Sequence, residues 1–417
     1  MSRRTALARR LALHLLARTR GGLLTVREPG GVRHSFGTTD PGAPLRAELE
    51  IHDPRAYAAM LRGSLGLALA HQEGLWSSPD LVALVRLAAR NVDRFDALRR
   101  RLRWGLAPVQ AVASLTRRNT VRRSRRQIAA HYDLGNALYE LVLDETMMYS
   151  AAVFERPSAT LHEAQVAKLD RICRKLCLEP GDHLLEIGTG WGAMAIHAAR
   201  EFGCRVTTTT ISAEQHALAT ERVRAAGLED RVTVLLEDYR ALTGTYSKLV
   251  SIEMIEAVGW RDFGTYFAAC SQRLAPEGLM LLQAITIDDR AYEVEKASRS
   301  FINQLIFPGG CLPSHEVIAR NVRRHTDMRP IQLEDISEHY VRTLAHWRLR
   351  FREARPQLEE LGYDVRFRRL WELYLAYSEA GFAERRIRDV QLLLAKPRFA
   401  REPLMRLEHV SERPVAA

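Results

Sequence analysis

The sequence contains few lysines and no long apolar run. Only five of its 61 basic residues are lysine, so arginine supplies nearly all of a formal net charge of +11. A cationic chain of this kind favours an anionic partner, which is either a nucleic acid or a membrane surface. No apolar stretch approaches the ~20 residues that a membrane-spanning helix needs, so the chain is not predicted to cross a bilayer.

Cysteine is also scarce and follows no metal-ligand spacing. Cys173 and Cys177 lie one helical turn apart, but no second Cys or His pair has the spacing of a zinc finger. We therefore predict no metal site and expect the five cysteines to be free thiols. Because the count is odd and the N-terminus lacks a signal-peptide pattern, the sequence predicts a reducing, cytoplasmic location.

The first twenty residues combine leucine with arginine. Leu7, Leu11 and Leu15 recur at helical spacing among six arginines. A basic amphipathic helix of this type predicts peripheral attachment to the anionic inner leaflet of a membrane. A solvated terminal helix in an arginine-rich protein explains the pattern equally well, so both interpretations stay open.

The most informative run of the sequence is Leu-Leu-Glu-Ile-Gly-Thr-Gly-Trp-Gly at residues 184–192. An apolar strand leads through Glu186 to three alternating glycines, Gly188, Gly190 and Gly192, and a helix-forming stretch follows. Glycine lets the backbone turn sharply and approach a ligand closely. A dinucleotide site places its third glycine three residues after the second, whereas the interval here is two. This spacing is typical of S-adenosylmethionine-dependent methyltransferases.

The chain beyond the glycine run alternates strands with helices. Strand-like runs follow at residues 206–211, 232–236, 248–252 and 279–284. Ser212 is a suitable N-cap for a helix that Gly227 ends, and residues 274–278 predict a turn before the last of these strands. The alternation predicts an α/β fold, a Rossmann-like class I methyltransferase core with a seven-stranded, mainly parallel sheet. Its ligand would bind at the carboxyl ends of the strands.

At 417 residues the chain is too long for one such core. We predict an N-terminal accessory domain at residues 1–116, an arginine-rich connector at 117–130 and a methyltransferase domain at 131–417.

Four segments outside the glycine run are more particular. They are His-Tyr-Asp-Leu-Gly-Asn at 131–136, Met-Tyr-Ser at 148–150, Glu-Met-Ile-Glu-Ala-Val-Gly at 253–259 and Ile-Phe-Pro-Gly-Gly-Cys-Leu-Pro at 306–313. In this order and spacing they resemble the cyclopropane-fatty-acyl-phospholipid synthases and related unsaturated fatty-acid methyltransferases, over about residues 125–400. The resemblance implies methyl transfer from S-adenosylmethionine to the cis double bond of an acyl chain in a phospholipid.

The resemblance also implies the positions that contact the cofactor, running from its methionine part through the ribose to the adenine. In that order they are Tyr149, Ser150, Glu186, Gly188, Gly190, Gly192, Thr210, Ile211, Gln215, Asp238 and Tyr239. An acid usually holds the ribose hydroxyls in methyltransferases, but this chain carries hydroxyl and amide side chains there.

Bicarbonate is the base that the resemblance implies for removing a proton from the methylated chain. Carried over position by position, its ligands fall on Glu256, Tyr340 and the backbone carbonyl of Ile285. The positions of a Cys and a His ligand hold Ala151 and Gln283 instead. One ligand is therefore missing outright, and the bicarbonate site is predicted to be weakened.

Glu253 is a further candidate because it lies three residues before Glu256. On a helix the two side chains would share a face, and if buried together they would raise each other's pKa. A weakened base beside Ala151 gives a hydride shift time to precede proton loss, so we predict a methylene-branched product. Ring closure to a cyclopropane is the alternative. A methylene product would need a separate reductase to become a saturated branch.

Two other functions stay open. The charge favours a nucleic-acid methyltransferase, but the chain lacks an Asn/Asp-Pro-Pro-Tyr motif and any base-reading module. Ala151 suggests a non-catalytic lipid-binding protein, although Glu256 and Tyr340 argue against it. The sequence thus predicts an anionic phospholipid surface as partner and no nucleic acid, and it leaves homo-oligomerisation open.

Overall fold

The computed structural model describes residues 2–38, 45–103, 135–296, 298 and 300–400. The predicted connector at 117–130 and all but the last two residues of the 131–136 motif lie outside the described residues. Within the described ranges, no helix combines the length and hydrophobicity that a bilayer span requires.

The described residues of the N-terminal region, up to Arg103, form a four-stranded sheet and four helices. Its strands, in the order β2-β1-β3-β4, are β1 (Gly22–Arg27), β2 (Arg33–Thr38), β3 (Arg46–Ile51) and β4 (Trp76–Ser77). Its helices are α1 (Arg3–Leu16), α2 (Arg55–Met60), α3 (Gly63–Gln72) and α4 (Leu81–Arg103). Alternate residues of β1 and β3 are buried, which gives the sheet one apolar face to cover.

The second sheet has seven strands in the order β10-β11-β9-β8-β5-β6-β7. They are β5 (His183–Ile187), β6 (Arg205–Thr209), β7 (Val232–Leu235), β8 (Tyr246–Ile252), β9 (Leu274–Ile287), β10 (Arg329–Asp335) and β11 (Ile387–Ala395). Strands β5 to β9 run parallel, while β10 and β11 are antiparallel to their neighbours. The predicted seven-stranded, mainly parallel sheet is confirmed.

Helices cover both faces of this sheet. They are α5 (Asn136–Val142), α6 (Leu161–Lys175), α7 (Ala193–Glu201), α8 (Ala213–Ala225), α9 (Phe263–Arg273), α10 (Asp289–Glu295), α11 (His315–His325), α12 (Ser337–Glu353), α13 (Arg355–Glu360) and α14 (Val365–Ala383). A capping box between Thr160 and Glu163 begins α6. Ser212 caps α8 as predicted, because its hydroxyl accepts a hydrogen bond from the Gln215 amide.

We predicted that a turn at residues 274–278 precedes the strand. This is wrong, because β9 already begins at Leu274. Tyr246 of β8 pairs with Leu274, but Lys248, two residues later, pairs with Leu279. The intervening residues of β9 leave the ladder as an irregularity. The turn-forming chemistry of Pro276 and Gly278 therefore shapes a bulge inside the strand.

The N-terminal region packs against helices of the larger unit. One continuous apolar cluster joins Val26 and Tyr57 to Trp347 of α12 and Trp371 of α14. The predicted domain boundary at residue 116 stays a prediction, since the cluster spans both sides of it.

An ion-pair cluster also joins the two parts. The Glu384 carboxylate, 12% exposed, binds Arg86 at 2.7 Å and Arg90 at 2.8 Å, both on α4. We expect Glu384→Gln to lower the free energy of unfolding by about 0.5–1.5 kcal/mol, because the amide lacks the charge that holds two partly exposed guanidinium groups. Denaturant unfolding measures this.

The matched control is Glu277→Gln, which removes a carboxylate 4.0 Å from Arg398 in an exposed pair. Equal stability of the two variants would contradict a stabilising role for the Glu384 contact.

Candidate active site

The carboxyl ends of β5, β6 and β7 bring three predicted cofactor residues to one edge of the sheet. Glu186 lies near the end of β5, Thr210 follows β6 and Asp238 follows β7, and all three are buried. The alternation of strands and helices is what makes these chain ends neighbours, as expected for a ligand site of an open parallel sheet.

Glu186 carries an unsatisfied acceptor. Its Oε2 is buried and has no hydrogen-bond partner among the described residues. Burial raises the pKa of Glu186 to about 8, although a hydrogen bond from Thr208 and the charge of Lys168 oppose the shift. A buried carboxyl with a free oxygen suits a ligand that brings a cationic donor, such as the amino group of S-adenosylmethionine.

The glycine loop leaves room for a ligand. Gly190 has φ +51°, and a Cβ built there would meet nothing within 4 Å. A Cβ on Gly188 would instead meet the Met254 side chain at 3.2 Å, so the loop lies directly beside the segment that follows β8. The loop is fixed because the amides of Gly188 and Thr189 both donate to the carbonyl of Thr209. An open cradle beside an unpaired buried acid fits S-adenosylmethionine.

The predicted ribose contacts are connected to one another. The Thr210 hydroxyl donates to Gln215 Oε1 at 2.9 Å and accepts from the Ser212 amide. Ile211, between them, is half-buried. These polar groups form a preorganised patch at the end of β6.

The predicted adenine contacts include an ion pair that sequence reasoning missed. Arg240 donates to both carboxylate oxygens of Asp238 at 2.7 Å and lies over the Tyr239 ring. Tyr239 also meets the edge of Tyr266, at a centroid distance of 5.6 Å. Arg240 thus positions both residues, and its place two residues after Asp238 was the available signal.

The segment carrying Tyr149 and Ser150 lies against helices of the core. The Tyr149 hydroxyl is 2.8 Å from that of Tyr374, and its ring is tilted on Trp347 at 5.2 Å. The fully buried Lys168 of α6 donates to the Ser150 hydroxyl at 2.8 Å. Lys168 was not predicted to contribute.

Glu253 is the centre of the second half of the site. Its Oε1 accepts hydrogen bonds from the Ala151 amide at 2.8 Å and from Gln283 Nε2 at 2.9 Å. Its Oε2 accepts from the Tyr340 hydroxyl at 2.7 Å. The structure therefore brings together Ala151, Gln283 and Tyr340, three positions that the resemblance assigned to a bicarbonate site. The Glu253 carboxylate already binds the hydrogen-bond donors of all three. These contacts do not fit a bicarbonate ion.

The prediction that Glu253 and Glu256 share a helix is wrong. Glu253 has φ +48°, and its amide donates to the Gln283 carbonyl, so a contact with β9 replaces the helical turn. Glu256 lies in a short 3-10 turn, Ile255–Ala257. The expected effect on ionisation is nevertheless present: burial and then the Glu253 charge raise the pKa of Glu256 to about 8.

Glu256 accepts a hydrogen bond from the Ile285 amide. The resemblance had instead assigned the Ile285 carbonyl to the site, as a ligand of bicarbonate. The Ile285 nitrogen is 2.5 Å from Glu256 Oε1. Glu256 Oε2 is buried and lacks a partner in the part of the chain that the structure describes. That oxygen remains available to a ligand or a developing positive charge.

Asp389 of β11 is a buried acid that sequence reasoning missed. Its Oδ2 accepts from Gln283 Nε2 at 2.8 Å, and the same nitrogen donates to Glu253 Oε1 at 2.9 Å. Burial, with the charges of Glu253 and Glu256, raises the pKa of Asp389 well above its usual range. The available signal was Asp389 and Gln391, two polar residues at alternate positions of a strand whose last four residues are apolar.

The absence of a metal stays a prediction. The described residues contain one group with suitable ligand atoms, Asp144, Glu145 and His162, which lie within 4.8 Å of one another. Asp144 already accepts hydrogen bonds from Thr146 and contacts His162.

The sheet order and the glycine loop define a class I methyltransferase. The family model described as mycolic acid cyclopropane synthetase matches residues 119–392, and the chain belongs to this family. This confirms the predicted family and makes the chain an S-adenosylmethionine-dependent methyltransferase.

Relatives match well beyond the catalytic core. Tuberculostearic acid methyltransferase UfaA1 of Mycobacterium tuberculosis is 42% identical over 356 residues, covering 83% of this chain and 82% of the relative. Cyclopropane-fatty-acyl-phospholipid synthase of Escherichia coli is 36% identical over 349 residues, covering 83% and 86%. The structure of mycolic acid cyclopropane synthase CmaA1 complexed with SAH and CTAB matches with a TM-score of 0.61 and 29% identity, covering 65% and 98%.

The cofactor loop gives a direct prediction. Gly190→Val should abolish S-adenosylmethionine binding, because the side chain would fill the open space above the loop and strain a backbone at φ +51°. Calorimetric titration measures the affinity, and circular dichroism checks that the fold is retained.

The control is Gly227→Val, at φ +66° with the same open surroundings at the end of α8. It imposes similar strain away from the loop and should bind the cofactor normally. Unchanged affinity in Gly190→Val would refute the placement of the site.

Proposed function

We propose that the enzyme transfers a methyl group from S-adenosylmethionine to the cis double bond of an unsaturated acyl chain in a phospholipid. The observation that carries the proposal is an acid cluster next to the glycine loop, formed by the half-buried Glu253 and Glu256 and the fully buried Asp389. Met254 connects the two, since it lies between the acids and would contact a Cβ on Gly188.

Methylation of an alkene makes particular demands on a pocket. The alkene is a weak nucleophile, and the added methyl group leaves a positive charge on the acyl chain. Carboxylates and aromatic faces can stabilise such a charge in a dry site. Trp347 is fully buried, with Tyr149 at 5.2 Å and Tyr340 at 6.0 Å between ring centroids. Acids enclosed by aromatic rings supply both kinds of group.

Each part of the site has a separate task. S-adenosylmethionine, when bound, supplies an electrophilic methyl group. Glu186 and the space above Gly190 would hold it, while Tyr149 and Ser150 would enclose its methionine part. Glu256, with a free carboxylate oxygen, would lie against the positive charge that develops on the acyl chain.

Ala151 supports a methylene-branched product. The two relatives carry names for a methyltransferase and for a cyclopropane synthase, so similarity alone leaves both products open. Ala151 is fully buried and brings no side-chain ligand to the base. Slower proton removal gives a hydride shift time to compete before the chain loses its proton. A separate reductase would then convert the methylene group into a saturated branch.

Product analysis tests this proposal. We expect purified enzyme, incubated with oleoyl phospholipid and methyl-labelled S-adenosylmethionine, to give a methylene-branched acyl chain as the main labelled product. Mass spectrometry of the released fatty acids measures it. A cyclopropane as the main product would contradict the branch assignment, and failure to label the acyl chain would contradict the substrate assignment.

We also propose that the enzyme docks peripherally on the anionic inner leaflet. On α1, Leu7 is 59% and Leu11 46% exposed, next to exposed arginines. A surface pocket of about 750 Å³ beside Trp260 is also rich in basic side chains. Its charged lining residues are Arg261, Asp262, Lys296, Arg320 and Arg324. Exposed leucines with surrounding cations suit an anionic lipid surface.

Vesicle sedimentation tests the docking. We expect strong binding to anionic vesicles at low salt, weaker binding at high salt and little binding to neutral vesicles. Leu7→Asp with Leu11→Asp should weaken binding about tenfold or more, because insertion of both side chains is lost. The control pair Leu349→Asp and Leu361→Asp removes similarly exposed leucines elsewhere. Salt-insensitive binding to both vesicle types would contradict the proposal.

A further inference from the structure

The conformation of Glu253 is the first sign that its side chain has a special position. Its φ of +48° lies in the left-handed region, where glycine is the unstrained residue. The amide hydrogen bond to the Gln283 carbonyl, 2.8 Å long, holds the backbone in this state. An acid in a backbone position that suits glycine suggests that the carboxylate is needed where the strain places it.

The second sign is how completely the carboxylate is bound. Three donors from separate parts of the chain converge on it: the Ala151 amide, Gln283 Nε2 and the Tyr340 hydroxyl, all within 2.9 Å. Together with Lys168 nearby, they stabilise a negative charge that burial would otherwise disfavour. This is an anion site, and the anion is part of the chain.

The third sign is a proton-holding neighbour. Asp389 is fully buried and lies close to Glu253, because Gln283 Nε2 donates to both carboxylates, at 2.8 Å and 2.9 Å. Two carboxyl groups this close in a dry environment cannot both ionise easily, so the pair readily holds one proton. A carboxylate with such a partner can accept a proton and share it.

We propose that the carboxylate of Glu253 takes the place of a bicarbonate ion and is the base that accepts the proton from the methylated acyl chain. A C–H bond next to the cationic carbon breaks, and its electron pair forms the carbon–carbon double bond of the methylene group. The proton moves to Glu253 and is shared with Asp389. If the proton comes from the new methyl group before a hydride shift, the same electron pair closes a ring.

This inference rests on the proposed methyl transfer, but it explains a feature that the proposal leaves aside. Because the Glu253 carboxylate binds the Ala151 amide, it stays in place at a position that offers no side-chain ligand. Binding through the backbone needs no particular residue at that position.

The test compares wild type with Glu253→Gly and Glu253→Gln. Glycine suits the backbone at φ +48°, so the Glu253→Gly variant should fold. Because it has lost the base, its activity should fall about a hundredfold in bicarbonate-free buffer. Millimolar bicarbonate should restore at least about a tenth of wild-type activity. Glutamine fills the same space without charge, so that variant should stay inactive with bicarbonate. The activity of the wild-type enzyme should not change when bicarbonate is added.

A binding measurement separates this inference from the proposed function. In ¹³C NMR spectra, the resonance of labelled bicarbonate should broaden on binding to Glu253→Gly but not in the presence of wild type. This measurement does not depend on the acyl substrate. The surface control Arg385→Gly removes a residue at φ +52° and should behave as wild type in both assays. Bicarbonate binding to wild type, loss of its activity without bicarbonate, or full activity of Glu253→Gly without bicarbonate would overturn the inference.

Discussion

The site depends on the burial of several acids close together. The fully buried Asp389 shares the Gln283 amide donor with the half-buried Glu253, the half-buried Glu256 lies three residues further along the chain, and Glu186 is buried at the neighbouring strand end. Buried carboxylates are costly unless they are paired, hydrogen bonded or protonated. All three remedies occur here: donors bind Glu253, Lys168 supplies a positive charge, and burial raises the pKa of Asp389, which favours its protonated form.

Much of the surrounding structure serves this requirement. Strand β9 supplies Gln283, whose amide joins Glu253 to Asp389 on β11. Helix α12 supplies the Tyr340 hydroxyl, and α6 supplies Lys168, so four elements enclose one carboxylate. Burial lowers the pKa of Lys168 to about 8, which shows how far this lysine has been removed from water. Elements distant in sequence are thereby held at fixed separations, as a reaction at a weakly nucleophilic double bond requires.

The fold was predictable because its signals are local. Alternating strands and helices, the glycine run and the Ser212 cap each follow from short segments of sequence. The helix expected around Glu253 failed because a long-range bond to Gln283 outweighs local helical spacing. Asp389 lies 136 positions after Glu253 in the sequence. No local sequence pattern therefore indicates that the two acids meet, beyond the alternating polar residues of β11.

The scarcity of lysine was a signal that remained unused. Four of the five lysines are buried, at positions 168, 175, 248 and 396. In a chain that uses arginine on its surface, the remaining lysines lie where a compact ammonium is needed inside. Lys168 could have been selected on that ground, although its neighbours could not have been named without the fold.

A crystal structure of the enzyme with S-adenosylhomocysteine, grown in millimolar bicarbonate, tests the central claim most directly. We expect density for the Glu253 carboxylate bound to the Ala151 amide, Gln283 and Tyr340, without a separate ion. A bicarbonate ion on those donors, with the Glu253 side chain turned away, would contradict it.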